Sequence, residues 1–260
     1  MNLLALEFPP ISHLVEWPDF FASGEWYALN KIGLLCLISM AATLLIFFVA
    51  GSRGALVPTG VQNVAEASVD FVRDGIVLQT MGEEGLHRKW VMPFLTSLFW
   101  FILFANIFEI IPGIQMPATA RMAIPALLSL LVWVIFNGVG VANQGLGGYL
   151  KNSLFPPGVP KALYILVTPI ELISTFVVRP FSLAVRLFAN LLAGHILLVT
   201  FAVLATALAE GAPALKAITP LPFVMLVFLT GFEVLVSFLQ AYIFTILAAV
   251  YIGGAMHPEH

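Results

Sequence analysis

Arg186 stands in PFSLAVRLFANLLAGHILLVTF (residues 180–201), an apolar run that contains no acidic residue. An arginine in hydrocarbon costs roughly 3 to more than 10 kcal/mol, depending on how far water and lipid yield around it. Its guanidinium does not escape that cost by losing its proton. A chain carries such a charge where it faces a partner, a water-filled cavity or an ion path. The chemistry in view is therefore the handling of charge, and of protons, inside a membrane.

Arg186 is one of a set. Glu109, Glu171, Arg179, His195 and Glu233 also lie in apolar runs, accompanied by Asn106, Asn190 and Gln240. Ionisable residues at such positions mark paths and relays more often than packing. EGAP (210–213) reads as the turn of an antiparallel helical hairpin. Residues symmetric about that turn share one depth, which places Arg186 level with Gln240 and His195 level with Glu233. The first pair is deeper than the second by about 10–14 Å of helical rise. Arg186 and Asn190 are i,i+4 neighbours, and Glu233 and Gln240, seven apart, are nearly on one side. His195 follows Arg186 by nine residues, half a turn out of phase on a straight helix. The expectation is that His195 faces a water path within the protein and Arg186 faces a partner. Asn106 and Glu109, at i,i+3 near the end of an earlier span, extend that path. A bland alternative stays open for each group. His195 with Glu233, Asn106 and Gln240 serve equally as interhelical hydrogen bonds, and Arg179 and Glu171 as residues near the inner surface, with Arg179 snorkelling.

The elements that hold these residues follow from composition. Of 260 residues, 60% are hydrophobic and only 10% charged. That is too little charge to cover a soluble domain of this size, so the fold class is an all-α polytopic membrane protein. Cys36, the only cysteine, rules out an intrachain disulfide and a cysteine-based metal site. GLGG (145–148) follows no strand and lacks the lysine of a phosphate loop, and no nucleic-acid motif is present. The first thirty residues hold Glu7, Glu16, Asp19 and Glu25 but no Lys or Arg, the reverse of a secretory leader's basic start.

About five membrane-embedded helices and one surface helix are expected. After an N-terminal segment (1–31), a first span covers 32–50. The segment 55–89 carries Val61, Val64, Ala65, Val69 and Val72 at helical spacing between charges. It reads as a helix on the membrane surface or one docked on the rest of the protein. Second and third spans occupy 90–142, and 143–161 is a loop whose Gly and Pro content forbids a continuous helix. The hairpin takes 162–255, leaving a tail at 256–260. An unbroken helix from 162 to 209 would be roughly 72 Å long, more than twice the hydrocarbon thickness. It must break near Pro169 or Pro180, or lie steeply tilted. With the N-terminus outside, Lys31, Arg121 and Lys216 are external. Arg53, Arg73, Arg88, Lys89, Lys151 and Lys161 are then internal, which favours that orientation and a cytoplasmic C-terminus.

RPFSLAVRLFANLLAGH (179–195), FEVLVSFLQAYIFTILAAVYIGGA (232–255) and FANIFEIIPG (104–113) resemble subunit a of the F-type ATP synthase. That subunit is the stator half of the proton channel. The resemblance runs over nearly the whole chain from the first span onward, and its Ala- and Pro-rich style points to a bacterial, actinobacterial-like member. It implies that Arg186 is the essential arginine, with Asn190 and Gln240 beside it. His195 and Glu233 form the outer half-channel pair. Some members carry these two residue types in the opposite order, the acid in the earlier helix. Asn106 and Glu109 match the outer entrance, where Asp is common in place of Glu109. Glu171 and Arg179 line the inner half-channel. The implied partners are a ring of c subunits, subunit b of the peripheral stalk beside 61–74, the remaining F0F1 subunits, protons, channel water and lipid. The long hairpin packs, tilted, against the rotor ring. No cofactor, metal or nucleic acid is expected, and the location is the bacterial plasma membrane. The competing readings are a proton- or ion-coupled secondary transporter, against which no inverted repeat is visible, and a purely structural membrane subunit.

Overall fold

Hydrocarbon offers backbone N–H and C=O groups no partner but each other, so the apolar runs of this chain are wound into helices. The computed structural model describes residues 30–53, 57–111, 114, 116–155, 160, 163–211 and 213–256, among which there is no strand. The N-terminal segment up to residue 29, Pro112-Gly113, part of the 143–161 loop, Ala212 and the tail from 257 lie outside the described residues.

Helix α1 (Lys31–Arg53) turns Ile32, Leu35, Ser39 and Thr43 inward and leaves Leu44, Leu45 and Phe48 exposed. Its outer face is the more apolar one, as lipid requires. Helices α2 (Val61–Val72) and α3 (Leu78–His87) are joined by a π-helical turn, Arg73–Val77. Val72, Ile76, Val77 and Met81 are buried along them. Along this face the segment is docked on the rest of the protein, while Val61 and Val64 stay exposed. The close approach depends on Gly253, where a Cβ would stand 2.9 Å from the Thr80 carbonyl oxygen.

Helix α4 (Val91–Ile107) runs into a turn that carries Glu109. A 3-10 turn, Ala118–Ala120, leads into α5 (Ala123–Leu154). In α5 the helix is interrupted at Gly145, whose φ of +72° is glycine territory. The chain does not open into a loop there. It rewinds through residues 146–154 and seats the Tyr149 ring where a side chain at Gly140 would lie. The expectation of a plain loop over 143–161 thus gives way to a helical limb, because one left-handed glycine suffices to redirect the chain.

Helix α6 (Tyr164–Ile173) continues through a π-helical turn (Ser174–Val178) into α7 (Arg179–Glu210), a single helical run of 47 residues. No break occurs at Pro169 or Pro180. Pro180 has no N–H to give and its ring presses on the turn before it. The wider π turn at that position relieves the mismatch and lets the helix go on. After Gly211 and the short α8 (Pro213–Lys216), α9 (Pro220–Met256) returns antiparallel to α7. Pro220 and Pro222 lie in its first turn, where a missing N–H costs nothing.

Among the described residues four helices, α1, α5, the α6–α7 run and α9, are long and apolar enough to cross a membrane, and α4 is a shorter apolar one. The core lies among α4, α5, α7 and α9, with Leu95, Ile102, Phe136, Leu187, Leu191 and Phe244 fully enclosed. Ala241, Ala248 and Ala249 keep α9 close to its neighbours, as small residues do between membrane helices.

Candidate functional site

On α7, Leu183, Leu187 and Leu191 recur at i,i+4 and face the core. Arg186 is therefore turned outward and is exposed. Ala189, Ala193 and Leu197 continue that outward face. Among the described residues Arg186 makes no ion pair. One turn on, Asn190 Nδ2 donates to Gln240 Oε1 at 2.9 Å, which ties α7 to α9 at this depth. Gln240 itself is 2% exposed.

Toward the hairpin turn, His195 points the other way and is buried. Its Nδ1 lies 3.7 Å from Glu109 Oε1, an ion-pair distance too long for a hydrogen bond. Glu109 reaches it from the turn after α4 and is 2% exposed. Glu233, 4% exposed, places its carboxylate where a side chain on Gly194 would be, one residue before His195. Glu109 and Glu233 both approach the Gly194–His195 step of α7, each from its own element. The structure thus brings together three ionisable groups from three elements. A cavity of about 120 Å³ adjoins Glu109 and His195 and is lined in part by Leu226 and Thr230. Both oxygens of Glu109 and one of Glu233 are buried with no hydrogen-bond partner among the described residues. Such groups need water or a shared proton. Asn106 stands behind Glu109 and accepts a hydrogen bond from Thr119 Oγ1 at 2.7 Å.

At the opposite end, the Arg179 guanidinium stacks 5.5 Å from the Tyr251 ring centroid. Glu171 is partly exposed on α6 and is not brought into an ion pair with Arg179 among the described residues. Tyr149, on the limb after Gly145, donates to Asn137 Oδ1 at 2.9 Å.

The model of the family described as ATP synthase A chain matches residues 33–253. ATP synthase subunit a of Frankia alni is 42% identical over 96% of this chain and 87% of its own length. The Rhodococcus erythropolis protein of the same name is 40% identical over 95% and 91%, and that of Maricaulis maris 42% over 93% of each. The chain belongs to the ATP synthase A chain family. It is a multi-pass membrane protein, the stator subunit of the ATP synthase proton channel, and the secondary-transporter reading finds no support.

For a subunit a chain, two polar side chains at the site escaped the sequence reading. Thr119 follows Asn106 by thirteen residues and sits on a short turn, with no periodicity to mark it. Ser237, fully buried, lies one turn after Glu233 on the same face of α9. That spacing was the available signal. Tyr149 went unnoticed because a loop was expected around it; Asn137, a lone amide in an apolar run, was the hint.

Proposed function

We propose that this subunit provides two offset aqueous half-channels and the arginine that separates them, and so couples proton flow to rotation of a c-ring and to ATP synthesis. The observation that carries the reading is Arg186: a guanidinium within a membrane helix, exposed, and without an ion pair among the described residues. Its counter-charge is then a carboxylate on another subunit, and the small side chains of Ala189 and Ala193 on the same face leave room for a helix to approach.

A proton enters by Asn106 and Glu109, passes His195 and Glu233, and neutralises a ring carboxylate. The neutral acid turns into lipid, where an ionised one is far more costly. After nearly a full turn it meets the inner half-channel, lined by Glu171 and Arg179, and releases its proton. Arg186 favours the ionised form of the carboxylate beside it, which promotes release. Its fixed charge also opposes direct passage between the half-channels. Asn190 and Gln240, joined by their hydrogen bond, hold the surface next to it. Each proton falling through 100 mV yields about 2.3 kcal/mol, so several are used per ATP. The nucleotide chemistry belongs to other subunits of the H+-transporting ATPase.

The N-terminus is placed outside and the C-terminus in the cytoplasm of a bacterial plasma membrane, on the distribution of Lys and Arg. The docked α2 segment lies on the inner side, facing the peripheral stalk and its subunit b. The test is R186A in the intact F0F1 complex. Assembly should survive and proton-driven ATP synthesis should vanish. Normal synthesis by R186A would overturn the mechanism.

A further inference from the structure

The hydroxyl groups of this chain's membrane helices mostly satisfy themselves. Ser39, Thr43, Thr230 and Thr245 each donate to the carbonyl oxygen four residues earlier, at 2.8 Å. This is the usual sink for a hydroxyl within a helix. Ser237 is an exception. It is fully buried, yet its Oγ has no hydrogen-bond partner among the described residues. Thr96 shares that lack, but it borders a separate pocket with Phe47, Val69, Met92 and Pro93, away from the ionisable groups.

Position gives the exception its meaning. Ser237 is four residues after Glu233 and three before Gln240, so all three share one face of α9. All three are buried, and each holds an unpartnered polar atom: Glu233 Oε2, Ser237 Oγ and Gln240 Nε2. The row spans about 10 Å of helix. At one end, Glu233 presses on Gly194 beside His195. At the other, Gln240 accepts from Asn190, one turn from Arg186. Three unsatisfied polar groups in succession on one buried face would be costly as packing. They are what a file of water requires: a carboxylate, a hydroxyl with one donor and two acceptor sites, and an amide donor.

We infer that Ser237 is a member of the proton path, holding water between the outer ionisable cluster and the face that carries Arg186. The inference rests on the reading of Glu233 as part of the outer half-channel. Without the hydroxyl, the file has a gap of nearly two helical turns. The residue adds no charge, and an alanine fits its place.

The experiment measures passive proton flux through the assembled F0 sector in vesicles stripped of the catalytic head. S237A should assemble at the parental level and conduct roughly three- to tenfold more slowly, the weight of one lost hydrogen-bonding partner. A second variant, S237C in a background with Cys36 replaced by alanine, should lose flux when silver ions are added, while the parent without Cys36 does not. Parental flux in S237A, or silver-insensitive flux in S237C, overturns the role of Ser237. E233Q run alongside separates the two levels. If E233Q conducts like the parent, the reading of Glu233 itself fails; if E233Q is blocked and S237A is not, only the role of Ser237 fails.

Discussion

Asn190 and Gln240, fifty residues apart in sequence, are joined side chain to side chain at 2.9 Å, one helical turn from Arg186. The pair sets the register of α7 against α9. Residues symmetric about the α8 region meet, and residues that are not lie at different depths.

That register is open to crosslinking. Cysteines at 186 and 240 should oxidise to a disulfide more readily than cysteines at 186 and 233, which are separated along the axis by roughly 10 Å more. The measurement is the fraction crosslinked by a mild oxidant in membranes. The reverse ranking would contradict the arrangement of the hairpin. N190A should cost only about 1 kcal/mol of stability, as single interhelical hydrogen bonds in membranes do.

The Glu233 carboxylate fills the space beside Gly194, so a Cβ there would force the end of that flexible side chain to move. In G194A the new methyl group would occupy the space of the Glu233 carboxylate. The carboxylate is the movable end of its side chain, so the substitution displaces it from its place beside His195 rather than breaking the helix packing. The expected result is slowed proton flux through an assembled complex. Shortening the acid should restore room, so G194A with E233D should conduct better than G194A alone. A G194A complex with parental flux would show that the carboxylate sits elsewhere.

Glu109, in the turn after α4, and His195 on α7 lie 3.7 Å apart. E109Q removes the titratable carboxyl group from beside the imidazole, and H195A removes the imidazole itself. Both should slow proton entry by about a hundredfold, the low end of the 10²–10⁴ that a positioned acid–base group contributes. Both should also change how the rate depends on the pH of the outer compartment while leaving the inner-side dependence alone. Flux measured with the two compartments buffered separately decides it. Unchanged outer profiles in both variants would reduce the pair to a helix-to-helix contact.

How much of this was legible in the sequence differs from residue to residue. Membrane class and the apolar spans follow from hydropathy, a local property that needs no partner to evaluate. The half-turn between Arg186 and His195 is likewise local, since nine residues of helix fix their relative direction whatever surrounds them; in the structure one is exposed and the other buried. The run of apolar residues from 162 to 209 said that a helix was available but not whether Pro169 or Pro180 would end it. The π-helical turn at Ser174–Val178, just before Pro180, keeps it whole.

The sequence by itself determined what had to be in the membrane and which side chains would be costly there, because transfer from water to hydrocarbon is summed residue by residue. Only the tertiary structure decided who meets whom. It brought Glu109 across from α4 to His195, seated Glu233 on Gly194, and folded Tyr149 back onto Gly140. Those meetings depend on which helix faces interlock, and that is set by the shapes of side chains far apart along the chain.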